Sequence, residues 1–361
     1  ERPCPHCGQE TNLVHQYHRQ LKQHRTLWGQ PVFLEMRRRR FRCRACGRVF
    51  MEPDEVCGPR RRSTQAFRTE LAQGCLTETV KAVARRAEVS EGTVRRAFHE
   101  WAATKLGPLE ATPKILALDE LWLGPRQGYL TALYAPQEKQ IVQLHVGRGQ
   151  ASAEKLLDQL GTGEEDVEAV VMDMSEPYRQ AVRQCCPHAL IVVDKFHVLA
   201  HVLRALQHVW AQILADAESA DVRLLRRRSL FTANTASLSA AQRQQREELL
   251  AKYPLLAAGW KLVQDFRHFY EAQDRDQAVA RLDQWWQDVC QHGPQPFTRL
   301  RHMLTCWREE ILNYFVCPIT NGFAEGKNNR IKVILRSGYG YRNIDNLTQH
   351  ILMSTGTELA A

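Results

Sequence analysis

Residues 169–194 read AVVMDMSEPYRQAVRQCCPHALIVVD, and the two apolar tetrads in that stretch decide the fold. Ala169-Val170-Val171-Met172 and Leu190-Ile191-Val192-Val193 are short, β-branched and uncharged, so they read as buried strands. Between them Tyr178–Cys185 has helical spacing, and each tetrad ends in an acid, Asp173 and Asp194. Upstream, Ile115-Leu116-Ala117-Leu118 ends the same way, in Asp119. A carboxylate directly after a buried strand points out of the strand end, where open α/β sheets build their sites. One such acid is often only a turn or helix-cap residue. Three in one chain argue for a shared purpose. Converging acids suit divalent cations, because Mg²⁺ takes hard oxygen ligands and keeps waters for substrate phosphates.

Working outward, the run Ile115–Leu123 and the segments Gly128–Ala135 and Gln140–Val146 read as three strands, with turns at Gly124 and Pro136. Ser152–Leu160 reads as a helix before the strand that ends at Asp173. Three strands in a meander, then alternating helix and strand, is the ribonuclease H-like order. After Asp194-Lys195-Phe196-His197 the pattern changes, and Val198, Leu199, Val202, Leu203, Leu206, Val209, Trp210 and Ile213 keep helical spacing over about five turns. Further amphipathic helices are expected around 240–252, 276–291 and 297–314, with Trp285, Trp286 and Trp307 as core residues. Residues 200–315 thus read as an all-helical insertion, after which the α/β unit resumes over 316–361. Arg226-Arg227-Arg228 inside it is either a DNA contact or a solvated helix end.

A chain of 361 residues exceeds one core of usual size, so about two to four domains are expected. No long uncharged apolar stretch and no secretory opening are present, which argues against a membrane span; the first residue is not Met, which leaves room for residues before it. Eleven cysteines, an odd number without a signal sequence, point to metal ligands and free thiols in a reducing compartment. The formal charge of +9 is unevenly spread: residues 1–110 hold 21 Lys/Arg against 12 Asp/Glu, and the remainder 28 of each. A polyanion-binding N-terminal third accounts for that asymmetry, whereas a generally basic surface would have spread it.

That third divides in two, a zinc ribbon over residues 1–58 and a helix-turn-helix over 59–105, followed by a linker at 106–112. Cys4-Pro5-His6-Cys7-Gly8 and Cys43-Arg44-Ala45-Cys46-Gly47 are paired knuckles whose two-residue gap lets both thiolates reach one ion. Four thiolates make a closed tetrahedral Zn²⁺ site, and the long interval between knuckles leaves room for a strand or hairpin such as Pro31–Arg42. A disulfide or redox pair is the alternative; His6 and Cys57 read as bystanders. Arg37, Arg38, Arg39 and Arg40 form a basic strand suited to phosphate. Thr77–Arg86 and Thr93–Trp101 are short amphipathic helices, with Ser90 capping the second. The second would present Arg95 and Arg96 to a major groove.

The segment Thr320-Asn321-Gly322-Phe323-Ala324-Glu325-Gly326-Lys327-Asn328-Asn329-Arg330-Ile331-Lys332 is the sharpest motif. On a helix Glu325, Asn328, Asn329 and Lys332 share a face, an acid among amides and cations that suits metal plus phosphate. Lys327, Arg330, Lys332, Arg336 and Arg342 follow Glu325 before the next acid, Asp345.

With the paired knuckles, the helix-turn-helix, Leu118-Asp119-Glu120, Met172-Asp173-Met174-Ser175, Asp194-Lys195-Phe196-His197 and the Glu325 segment together, nearly the whole chain resembles the ISL3 family of DDE insertion-sequence transposases. The resemblance implies a multidomain α/β protein with a ribonuclease H-like catalytic domain, over residues 113–199 and 316–361, interrupted by the helical insertion. It implies Asp119, Asp173 and Glu325 as a catalytic triad holding two Mg²⁺ (or Mn²⁺) ions, with Asp194 and His197 beside them and one structural Zn²⁺. The expected partners are double-stranded DNA, as terminal inverted repeats and as target, and further copies of the chain in a homodimer or larger assembly. Lys327, Asn328, Lys332 and Arg336 join Arg37–Arg40, Arg95 and Arg96 as expected DNA contacts, in a cytoplasmic, nucleoid-associated bacterial protein without a membrane partner. The rival readings are a ribonuclease H-like nuclease or resolvase without strand transfer, and a transcription regulator in which the strand-end acids are coincidental. A serine or cysteine nucleophile has no activating sequence context.

Overall fold

The computed structural model describes residues 1–107, 111–125, 127–160, 166–233, 235–337, 341 and 343–355, leaving aside the side chains of Ser219 and Ala220. The chain forms two compact units, Glu1–Pro108 with Arg330–Ala361, and Leu109–Asn329.

The first unit opens with a short antiparallel pair, β1 (Arg2–Pro3) and β2 (Glu10–Thr11). A long hairpin follows, β3 (Val14–Leu27) and β4 (Gln30–Arg42), to which β5 (Val49–Met51) adds a third strand. The hairpin reverses at Trp28 and Gly29, both left-handed with φ of 48° and 76°, the twist that matches two right-handed strands. Three helices come next: α1 (Gln65–Gly74), α2 (Val80–Arg86) and α3 (Glu91–Lys105). Thr64, Thr79 and Ser90 cap them, each hydroxyl accepting a backbone N–H three residues on. Phe67, Leu71, Val83, Val94 and Phe98 form their shared core.

The second unit contains a five-stranded sheet. Its strands are β6 (Ile115–Trp122), β7 (Tyr129–Ala135), β8 (Gln140–Val146), β9 (Ala169–Met172) and β10 (Leu190–Val193), with α4 (Gln150–Asp158) before β9 and α5 (Glu176–Cys185) before β10. The spatial order is β10-β9-β6-β7-β8; β6 to β8 form an antiparallel meander, and β9 and β10 run parallel to β6. All four residues of β9 are buried, as expected for a strand with neighbours on both sides.

From Asp194 to Phe315 the described residues are helical, without a strand. The helices are α6 (Lys195–Asp216), α7 (Ser219–Leu225), α8 (Ser229–Thr232), α9 (Ala240–Lys252), α10 (Pro254–Phe269), α11 (Arg275–His292), α12 (Gln295–Thr305) and α13 (Arg308–Leu312). Trp285 and Trp307 lie in their core, and Trp286 packs against it half-buried. The helix boundaries differ in places from the sequence expectation, which also did not include α7 and α8. The expected helix 297–314 breaks at Cys306 and Trp307 into α12 and α13, and α10 was not anticipated. Pro254, which reads as a breaker, stands in its first turn, where proline's missing N–H costs nothing.

The chain ends in α14 (Gly322–Ser337) and α15 (Ile344–Thr355). The division between the units falls within α14, after Asn329. By packing, Arg330–Ala361 groups with the N-terminal residues. The reason is visible in α15: Met353 enters the core of α1 to α3, His350 packs edge-on against Phe98 at 5.4 Å, and His99 bonds Gln349. Of the expected linker 106–112, residues 108–110 lie outside the described residues.

Candidate catalytic site and nucleic-acid interface

Strand register assembles the acids. Ala117 of β6 pairs with Val171 of β9, and Val171 with Val192 of β10. Two residues further, Asp119, Asp173 and Asp194 therefore stand level on three neighbouring strand lines, which run about 4.8 Å apart. Asp173 and Asp194 follow their strands directly, as expected. Asp119 lies within β6, as the expected strand Ile115–Leu123 places it, because that strand outruns β9 and continues to pair with β7, Asp119 opposite Ala132.

Asp194 is 1% exposed; its Oδ1 accepts the Asn321 backbone N–H at 3.1 Å, and its Oδ2 lies 2.9 Å from His197 Nδ1. The same His197 nitrogen is 2.8 Å from Asp173 Oδ1. Between the carboxylates of Asp173 and Asp194 the imidazole is raised to about 10 and carries a positive charge at neutral pH. Burial pushes the Asp119 carboxyl up to about 6, and the charge of Asp173 adds to the rise. Two donors oppose it: the Glu120 backbone N–H at 2.7 Å and Asn328 Nδ2 at 2.6 Å. The Asn328 side-chain carbonyl in turn accepts a hydrogen bond from the hydroxyl of Tyr134, which is fully buried on β7.

Asn328 thus differs from its expected role. With Ala324, Ile331 and Ile334 it forms the buried face of α14, while Glu325, Asn329, Lys332 and Arg336 are exposed. An amide with donors and acceptors on both sides is held inward by Asp119 and Tyr134, so both ends of the Asn328 side chain are engaged within the protein. Lys327 is half-buried, its Nζ over the Phe323 ring at 5.1 Å. Arg342 lies outside the described residues. Glu325 is exposed on α14, three residues before the one that bonds Asp119. Among the described residues, only the four cysteines bring three or more Cys, His or acid ligand atoms within 4.8 Å of one another, so Asp119, Asp173 and Glu325 do not form a closed cage.

Tyr134, Asn328 and Asn321 were missed as supports of the acids. Tyr134 lies in an apolar strand, and nothing local marks its hydroxyl as a partner for a residue 194 positions away. Asn321 is fully buried, and among the described residues its side-chain oxygen and nitrogen have no partner.

At the other end of the chain Cys4 and Cys46 sulfurs are 3.7 Å apart and those of Cys7 and Cys43 3.5 Å. A tetrahedron with metal–sulfur bonds of about 2.3 Å has edges of about 3.8 Å, so the four thiols fit one Zn²⁺. Gly8 and Gly47, with φ of 74° and 72°, close the knuckles and donate their N–H groups back to the Cys4 and Cys43 carbonyls. The backbone N–H of Cys46 is the largest influence drawing the Cys43 thiol down to about 7, while the hydrogen bond with Cys43 helps push the Cys7 thiol up to about 12, as for two thiols sharing one proton. His6 bonds Arg48 at the surface, and Cys57 is buried outside the cluster.

The basic strand is partly committed. Arg38 reaches Asp54 at 3.6 Å and Arg39 reaches Glu52 at 2.9 Å, while Arg37 lies over the Tyr17 ring at 4.1 Å. The Asp54 carboxylate, buried, also binds Lys22, so Arg38 is tied into the fold of the hairpin. Arg95 and Arg96 are exposed on α3, with Arg95 linked to Glu91 one turn earlier.

Three family models match the chain. Residues 116–351 match a transposase domain, residues 1–46 the zinc-finger of transposases IS204/IS1001/IS1096/IS1165, and residues 57–102 the helix-turn-helix domain of transposase family ISL3. Among characterised proteins, the transposase for insertion sequence element IS1001 of Bordetella parapertussis is 28% identical over 347 residues, 94% of this chain and 85% of that protein. The transposase for insertion sequence element IS1557 of Mycobacterium tuberculosis is 24% identical over 379 residues, 95% of this chain and 83% of that protein.

Proposed function

The chain belongs to the ISL3 family of insertion-sequence transposases, and from that premise we propose that it binds the terminal inverted repeats of its own element and performs metal-dependent cleavage and strand transfer of DNA. The observation that carries the reading is the row of Asp119, Asp173 and Asp194, with α14 tied to it through Asn328. A five-stranded sheet in the order β10-β9-β6-β7-β8 supports a ribonuclease H-like catalytic domain, with α6 to α13 as its helical insertion. Asp119, Asp173 and Glu325 are its catalytic acids, and Asp194 with His197 positions Asp173.

The donor set fits Mg²⁺: hard carboxylate oxygens, with those of Asp119 and Asp173 close enough that the charge of one raises the other. A metal pair, when bound, would supply a deprotonated attacking oxygen and a stabilised leaving 3′ oxygen. The protein's own part is to hold the acids level, to keep Asp119 oriented through Asn328 and Tyr134, and to fix the Asp173 carboxylate through His197. Exposed Lys332 and Arg336 on α14 contact DNA, as do Arg95, Arg96 and the uncommitted arginines of β4.

Supercoiled plasmid carrying the element's ends, incubated with the protein and Mg²⁺, tests this. Joined donor–target products are expected. Linear or nicked products without joining would leave a nuclease, and intact plasmid with bound ends a regulator.

A further inference from the structure

The helical segment contains a feature that the catalytic reading does not use. Between α6 and α12 runs an open trough of about 670 Å³. Its α6 side is made by His201, Arg204 and His208, and its α12 side by Arg299, Leu300 and Met303. No acidic side chain lines it, and α6 and α12 together hold a single acid, Asp216, at the far end of α6. The lining residue nearest the acids along α6 is His201. His197, which bridges Asp173 and Asp194, lies four residues before His201, and His197, His201, Arg204 and His208 share one face of α6 by helical spacing.

The cations are presented, not consumed. Arg204, His208 and Arg299 are exposed. Arg204 Nη1 lies 3.2 Å from His201 Nδ1, and no acid is recorded within ion-pair distance of Arg204 or Arg299 among the described residues. His201 is kept neutral by burial and by the neighbouring Arg204, so its ring nitrogen accepts from the guanidinium and aims it. A floor of Ala205, Leu300 and Met303 beneath guanidinium groups fits a chain of apolar sugar faces and anionic phosphates.

Resting on the transposase reading above, we propose that this trough binds the sugar–phosphate backbone of the DNA strand that flanks the element, on the side of the scissile phosphate away from the terminal repeat. On that reading the terminal repeat is the ligand of the basic N-terminal third, so the DNA beyond the scissile phosphate needs a cationic track of its own. The trough is that track: it starts one helical turn from His197 and is free of opposing charge.

The test compares two end duplexes binding to the full chain without Mg²⁺, one ending at the cleavage point and one continuing through about ten nucleotides of flank. Two charged contacts predict that the wild type binds the flanked duplex at least about tenfold more tightly at low salt. Arg204→Ala/Arg299→Ala should lose most of that preference while binding the flankless duplex as the wild type does. Arg204→Lys/Arg299→Lys should retain part of it, and Arg243→Ala, on the exposed face of α9, all of it. Equal preference in the double alanine variant, or no flank preference in the wild type, overturns the proposal. A wild type that prefers flanked DNA yet never cuts or joins with Mg²⁺ overturns the transposase reading and leaves the trough. Thermal melting of each variant guards against loss of fold, and a double alanine variant that melts early is replaced by Arg204→Gln/Arg299→Gln.

Discussion

Asp119 meets opposing demands: burial favours its neutral form, while the Asn328 amide and the Glu120 N–H favour its anion. Its folded pKa of about 6 exceeds its ordinary 3.8, so the unfolded chain gives up this proton first. The carboxyl therefore costs the Mg²⁺-free fold stability as pH rises from about 4 to 6, and the cost persists above. Asp119→Asn should raise the melting temperature in Mg²⁺-free buffer at pH 7.5 (about neutral) more than at pH 4, and an equal shift at both would contradict the assignment. Tyr134→Phe removes the donor to Asn328 and leaves a buried carbonyl unpaired, a loss of about 1–3 kcal/mol in chemical denaturation. Asp119→Ala, Asp173→Ala and Glu325→Ala should each abolish cleavage and joining while leaving end binding near wild type. Glu325→Asp displaces the carboxylate by roughly an ångström, which lowers the cleavage rate by about 10²-fold. Excision at the wild-type rate by stable Glu325→Ala protein would remove Glu325 from the triad.

At the scale of elements, the knuckles and the three-helix module each have a separate dependence. Cys43→Ser should abolish the bound zinc measured by metal analysis and weaken end binding, because β1, β2 and the β4–β5 turn are joined by the four-thiol cluster. Arg95→Ala or Arg96→Ala should reduce discrimination at one base position by about 1–3 kcal/mol where the side chain reads a guanine. A uniform loss over all sequences, with a shallower salt slope, marks a phosphate contact instead. The α15 helix belongs to the same module through Met353, and Met353→Ala should destabilise it by about 2–5 kcal/mol. Chemical denaturation followed through Trp101, which packs on that core, would detect it.

Across the whole molecule, charge and chemistry occupy different parts of the chain. Residues 1–110 carry the entire net charge, so rising salt should weaken end binding with a log–log slope of about −0.9 for each phosphate neutralised. Omission of Mg²⁺ should stop cleavage and joining without altering that slope. No helix among the described residues is long and apolar enough to cross a membrane.

Local chemistry made much of this protein legible from sequence. A two-residue gap between thiols, a hydroxyl before an amphipathic run, and a β-branched tetrad closed by an acid each act within a few residues. The knuckles, the Ser90 cap and the strands of Asp119, Asp173 and Asp194 could therefore be placed from the chain alone. Tertiary structure decided what distant residues do to each other. Only strand register made the three acids level, and only the meeting of α14 with β6 and β7 turned Asn328 inward to Asp119 and Tyr134. Only packing assigned α15 to the helix-turn-helix core and tied Arg38 to Asp54. Helical spacing specifies which side chains share a face; the partner that face meets is chosen by the burial and hydrogen bonding of residues far away in sequence, which periodicity does not encode.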